Sequence, residues 1–187
     1  MIKLETMTKV IGSRRTFLDA DDEAAMEFLR ITSDIYADPD YQRLRHYTHH
    51  YSTTRFQHCV NVAWYTYLWA KKQGLNYRSA TRGAMLHDFY LYDQHKGEQP
   101  IRGRHCAVHP VIALQNAKQH FEVDPIIEDC ILHHMWPSCP GMPKTKEGMI
   151  VEAADKYCAS IEWSSRQVRR IPQGLAFMHM RLARFTY

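Results

Sequence analysis

Apolar residues recur along this chain at helical spacing, and no stretch alternates polar and apolar positions with the period of a strand. Ala25, Met26, Leu29 and Ile31 mark the inner side of a first helix opening at residue 22, with Asp21 or Asp22 as its cap. Pro39 suits the first position of a short second helix. Thr53 or Thr54 caps a third, which runs to about residue 73 and stops at Gly74. Asn76 caps a fourth that is expected to reach about Leu91. A polar loop over 94–104 leads to a fifth, opening near His109 and Pro110 and ending around Phe121. Asp124 followed by Pro125 signals a sixth, ending near Met135. Three prolines and Gly141 make 137–143 a loop. A long helix covers about 146–168, and Pro172 precedes a last one to about Arg184. Residues 1–20 show no clear pattern and read as an N-terminal arm, which leaves 21–187 as one all-α domain.

Composition narrows this picture only slightly. A chain of 187 residues with 45% hydrophobic and 24% charged residues supports one sizeable core and is too short for two ordinary domains. The net charge of +4 permits a phosphate-bearing partner but is no strong nucleic-acid signal, and the basic run at 166–170 reads as a solvated face. The first ten residues include Glu5 and lack the apolar run of a secretory signal. The most apolar stretch, 60–70, is about half of the ~20 residues that a membrane span needs. Five cysteines, an odd number without a CxxC pair, indicate neither a disulfide framework nor a cysteine-based zinc site. These features together predict a cytoplasmic protein in a reducing compartment, with no membrane association.

Histidine is in surplus, with 12 in the chain, and its placement matters more than its number. His58 lies inside the third helix, His87 and Asp88 fall late in the fourth, and His109 opens the fifth. His133 and His134 close the sixth, and Asp155 is central in the long helix. Any one of these alone is most simply a hydrogen-bonded core residue. Five successive helices repeating the feature is harder to explain that way, because each buried polar group must be satisfied separately. Helix bundles assemble metal sites from side chains that converge in this manner. Imidazoles bind first-row transition metals, while carboxylates lower the net charge and bridge ion pairs.

The ordered set His58, His87 with Asp88, His109 with Pro110, Ile131-x-x-His134 and Ala154 with Asp155 resembles the HD-domain superfamily of metal-dependent phosphohydrolases. The stretches that carry it are RFQHCVNVAWYTYLWAKK, ATRGAMLHDFYLYD, RHCAVHP, ILHHMWPSCPGMP and EGMIVEAADKYCAS, roughly residues 50–160. The resemblance implies an all-α, single-domain bundle with a metal site in its core. It assigns His58, His87, Asp88 and Asp155 as the ligands shared by simple members, and His109 and His134 as the mark of a dinuclear centre bridged by Asp88. Spacing within the family picks His134, three residues after Ile131, over His133. The Glu and the Gly-Tyr-Pro of the cyclic-dinucleotide phosphodiesterase signature are absent from HHMWPSCPGMP.

Around this set, Arg55 lies one helical turn before His58 and is a candidate phosphate clamp. Lys156 beside Asp155 is a second candidate for stabilising transition-state charge. Asp93, His105 and His133 are candidates for orienting a ligand or meeting substrate, and for each the alternative is an exposed charge or structural hydrogen bond. The segment 43–55 mixes Arg, His and Tyr and reads equally as a pocket wall for an anionic, stackable substrate or as a solvated helix end. His49 and His50 within it lie close enough in sequence to line a pocket.

The expected function is hydrolysis of a phosphoester, a nucleotide or other small phosphate ester, by a metal-bound hydroxide. The expected cofactor is one or two divalent ions drawn from Fe, Mn, Ni, Co or Zn, with Mg as a further option. Two alternatives share the ligand pattern: an HD-type di-iron oxygenase, and a non-catalytic metal-binding module.

Overall fold

A computed structural model describes Val10, residues 22–49 and residues 53–170, with side chains to residue 164. The arm expected over 1–20, apart from Val10, and the helix expected after Pro172 lie outside the described residues, as does His50. Among the described residues the fold is all helical: α1 (Glu23–Ala37), α2 (Pro39–Gln42), α3 (Arg55–Lys72), α4 (Tyr77–Leu86), α5 (His105–His120), α6 (Pro125–His133) and α7 (Lys146–Arg170). Short 3-10 turns occupy Arg43–His46 and Gln94–Lys96. No helix among these residues is long and apolar enough to cross a membrane.

The helix starts follow from their caps. Asp22 accepts from the Ala24 amide at 3.0 Å, Thr54 from Gln57 at 3.2 Å, Asn76 from Ser79 at 3.2 Å and Asp124 from Ile127 at 2.8 Å. On α1 the inner face is Ala25, Phe28, Ile31, Thr32 and Ile35, while Met26 and Leu29 are only half-buried. α3 buries 13 of its 18 residues and so runs through the middle of the bundle. It packs on α4 and α7, and α6 closes against both of these. α1 lies on α4, and α5 packs on α6.

Two boundaries differ from expectation. α4 ends at Leu86 instead of about Leu91, and side chains from other elements take carbonyls in its last turn and in the segment that follows. Tyr41 donates to Met85 O at 2.7 Å, Asn116 to Phe89 O at 2.8 Å and Tyr47 to Leu91 O at 3.1 Å. Arg55 donates to Tyr90 O at 2.6 Å and Tyr92 O at 3.2 Å. α5 begins at His105, four residues before the expected start, with Pro110 inside it. Its preceding residue, Arg104, makes no capping hydrogen bond, so local sequence carries no start signal. Cysteine spacing indicates no disulfide framework, yet Cys106 and Cys139, 33 residues apart, form one disulfide between the start of α5 and the loop after α6. That pairing depends on how the two elements meet, which cysteine spacing does not reveal.

Candidate metal centre

His58 comes from the first turn of α3 and Asp155 from the middle of α7. His87 and Asp88 follow the end of α4, His109 lies one turn into α5, and His134 caps the end of α6. The structure brings these six side chains to one point, all four imidazoles and Asp88 being buried. His58 Nε2 is 2.9 Å from Asp155 Oδ1, and His87 Nε2 is 3.8 Å from both Asp155 Oδ1 and Asp88 Oδ2. On the other side of Asp88, Oδ1 lies 3.2 Å from His109 Nε2 and 3.7 Å from His134 Nε2. The two oxygens of one carboxylate thus face two different groups of nitrogens.

The ring orientations are set locally. His87 Nδ1 donates to Ala84 O at 2.7 Å, His109 Nδ1 to His105 O at 2.8 Å and His134 Nδ1 to Ile131 O at 2.8 Å. Each bond places the Nδ1 proton on the helix backbone and leaves the Nε2 lone pair facing inward. His58 instead meets carboxylates at both nitrogens, with Glu162 at 3.1 Å from Nδ1 and Asp155 at Nε2.

This donor set fits a metal ion. His87 Nε2 and Asp88 Oδ1 are buried and make no hydrogen bond. His109 Nε2 and His134 Nε2 lie 2.9 Å apart beside a carboxylate, two inward-facing nitrogens that a shared proton or a metal ion would satisfy. Among the described residues, three groups have donor atoms within 4.8 Å of one another: His49, His58 and Asp88; His58, His87 and Asp155; and His87, Asp88 and His134.

The electrostatics differ from ring to ring. Burial opposes a charge on His58, but its hydrogen bonds to Asp155 and Glu162 outweigh it and push the imidazole up to about 10, so His58 must give up a proton to serve as a ligand. Burial also works against the Asp88 charge, yet His87 and His109 hold its carboxyl well below the usual range. Burial, with His87 and His109 nearby, lowers His134 to about 3 and keeps it neutral as a ligand must be.

The surrounding candidates divide. Lys156 sits at the edge of a cavity of about 230 Å³ over the donors, its Nζ 2.7 Å from Glu152 and 3.3 Å from His134 O. His105 lines the same cavity, stacked on His109 at 4.5 Å, and burial with His109 lowers it to about 4. Arg55 is no phosphate clamp: it is fully buried, its guanidinium 3.4 Å over the Tyr90 ring and committed to the Tyr90 and Tyr92 carbonyls. Asp93 does not reach a ligand, because its carboxylate caps the 3-10 turn by accepting from the His95 amide at 2.9 Å. His133 turns away from the centre to Asp129, 2.7 Å from its Nδ1, which leaves His134 as the inward residue.

Two further groups complete the centre. His49, in the segment before α3, stacks on His58 at 4.1 Å and places Nδ1 3.6 Å from Asp88. It lies outside any helix, so periodicity says nothing about where it points. Glu162 lies seven residues after Asp155 on α7, two turns along the same face, and that spacing was a usable signal.

The family model for the HD domain matches residues 55–160. Over 118 residues the chain is 30% identical to Ribonuclease Y of Geotalea uraniireducens (strain Rf4), a match covering 63% of this chain and 20% of that protein. The chain therefore spans a small part of the length of this curated relative. No solved structure matches. With more than half of its length matched, and with the histidines and aspartates of the motif gathered in one buried cluster, the chain belongs to the HD domain family and so to the superfamily of metal-dependent phosphohydrolases.

Proposed function

We propose that the protein hydrolyses a small phosphate ester at a two-ion centre. The observation that carries this reading is Asp88, whose Oδ2 faces His87 and whose Oδ1 faces His109 and His134, the placement of a carboxylate shared between two ions. One ion would be held by His58, His87, Asp88 and Asp155, the other by Asp88, His109 and His134. When bound, divalent ions supply Lewis acidity to the phosphoryl oxygens and bring the pKa of a water toward neutrality.

The chain's own residues do the remaining work. The inward Nε2 atoms and the two aspartates would hold the ions that draw in the phosphoryl group, and the cavity of about 230 Å³ above them suits a phosphoryl group with a small organic part. Lys156 is the cavity-lining group that adds positive charge there, and it opposes the build-up of negative charge on the phosphoryl oxygens during bond cleavage. Tyr90 and His105 form one wall, with the Tyr90 hydroxyl 3.4 Å from His105 Nε2, and they limit water access from that side.

The test is to strip the full chain of metal and reload it with Mn²⁺, Fe²⁺, Co²⁺, Ni²⁺, Zn²⁺ or Mg²⁺. Bound metal is then counted, and phosphate release is followed from p-nitrophenyl phosphate and nucleoside monophosphates. Two ions per chain with metal-dependent phosphate release is the expected result. Stoichiometric iron with substrate-dependent oxygen uptake and no phosphate release would replace the hydrolase by an oxygenase. Tightly held metal with neither activity would leave a binding module.

A further inference from the structure

Of the four motif imidazoles His58, His87, His109 and His134, three direct Nδ1 to a carbonyl of the preceding turn, and His58 alone of these directs it to a carboxylate on another helix. That carboxylate, Glu162, is 1% exposed and lies 3.1 and 3.2 Å from His58 Nδ1 through its two oxygens. It is held in turn by Asn61 Nδ2 at 2.9 Å, and Gln57 Nε2 donates to Asn61 Oδ1 at 2.8 Å. A line of hydrogen bonds therefore runs from the first turns of α3 to Glu162 and back to His58. α7 supplies the anion at each end of the same ring: Asp155 at Nε2 and Glu162 at Nδ1.

We propose that Glu162 is a positioning residue of the metal centre, fixing the Nδ1–H form of His58 so that Nε2 faces the ion as a strengthened donor. This rests on the metal-site reading above. A buried carboxylate is costly unless paired, and a core contact alone would be served by the neutral carbonyl that suffices for the other three rings. A charged acceptor makes a bond roughly twice as strong as a neutral one, and it raises the basicity of the far nitrogen. It also adds a third negative charge, after Asp88 and Asp155, against the positive charge of the ions.

Glu162→Gln keeps an acceptor at the same reach and removes the charge; Glu162→Asp keeps the charge and shortens the reach. Both are compared with wild type as full chains, by circular dichroism for folding, by calorimetric titration with Co²⁺, and by the visible spectrum of the bound Co²⁺. Glu162→Gln is expected to bind Co²⁺ roughly 10- to 100-fold more weakly with shifted absorption bands. Glu162→Asp is expected to fall between it and wild type, roughly threefold or more weaker than wild type. A folded Glu162→Gln protein with wild-type affinity and spectrum overturns the proposal. If that variant does not fold, wild-type affinity and spectrum in Glu162→Asp overturn it equally. Wild type that binds no Co²⁺ defeats the metal-site reading itself and the proposal with it.

Discussion

Replacing Arg55 by methionine separates a structural arginine from a substrate-binding one. The guanidinium is fully buried, donates to Tyr90 O at 2.6 Å and Tyr92 O at 3.2 Å, and stacks 3.4 Å above the Tyr90 ring. Methionine fills much of the same space and donates to neither carbonyl. Each orphaned buried carbonyl costs roughly 1–3 kcal/mol, and the lost cation–π contact costs about 2 kcal/mol when desolvated. Against this, the variant no longer has to dehydrate a guanidinium, so the net loss falls near 3 kcal/mol. For a chain of this size that is a fall in Tm of roughly 6–12 °C. Urea unfolding followed by circular dichroism measures the first quantity and scanning calorimetry the second. Arg55→Lys, which keeps the charge but not the two-pronged donor, should lose roughly half as much. Unfolding free energy within about 1 kcal/mol of wild type, joined to a raised KM for a phosphate ester, would refute the reasoning and return Arg55 to the substrate.

Asp88→Ala should lose bound metal and phosphate release together, as read by metal analysis and a phosphate assay, and full metal occupancy in it would contradict the bridging role. Lys156→Ala should keep its metal while phosphate release slows roughly tenfold or more, and its stability should fall by no more than about 1 kcal/mol, the half-exposed side chain giving up one ion pair with Glu152 and one bond to His134 O. Glu27 accepts hydrogen bonds from Lys71, from Tyr67 at 2.6 Å and from Tyr77 at 2.9 Å, which bring its pKa from 4.5 to about 2. A carboxyl lowered by folding stabilises above its unfolded value and loses that contribution as pH falls through the folded one. Unfolding measured from pH 5 to 2 should therefore show a loss of stability that Glu27→Gln lacks, and identical pH profiles would count against it. Gly83→Ala should destabilise by roughly 1–3 kcal/mol despite alanine's helix preference, because an added Cβ would lie 2.6 Å from the Cys130 side chain where α4 meets α6. Equal stability in denaturant would show that the helices can separate without loss.

Much of the fold is written in short-range signals. Asp22, Thr54, Asn76 and Asp124 each announce a helix by a side chain that reaches only two or three residues ahead, and all four cap in the structure. The end of α4 and the start of α5 escaped because neither is decided locally. The first is held by donors from Tyr41, Tyr47, Arg55 and Asn116, and the second has no capping side chain. The same division runs through the centre. Periodicity puts an imidazole or carboxylate on each of five helices and the family resemblance picks out the six that converge, but whether a neighbour such as Arg55 or Asp93 faces the cavity depends on partners distant in sequence. Arg55 finds its carbonyls 35 and 37 residues away, and Cys106 finds Cys139 33 residues away. His49 acts from a segment with no periodicity to read.

The three backbone-clamped imidazoles bear on how the centre chooses its ion. Their hydrogen bonds to Ala84, His105 and Ile131 hold the rings still in the folded chain without any ligand. Side-chain freedom worth roughly 0.5–1.5 kcal/mol per residue is surrendered at folding and is not lost again on binding. An incoming ion meets a template that adjusts little, so ions whose preferred bond lengths and angles mismatch it are penalised instead of accommodated. On the metal-centre reading, selection among divalent metals would rest on the stiffness of these three rings more than on the intrinsic affinity of imidazole.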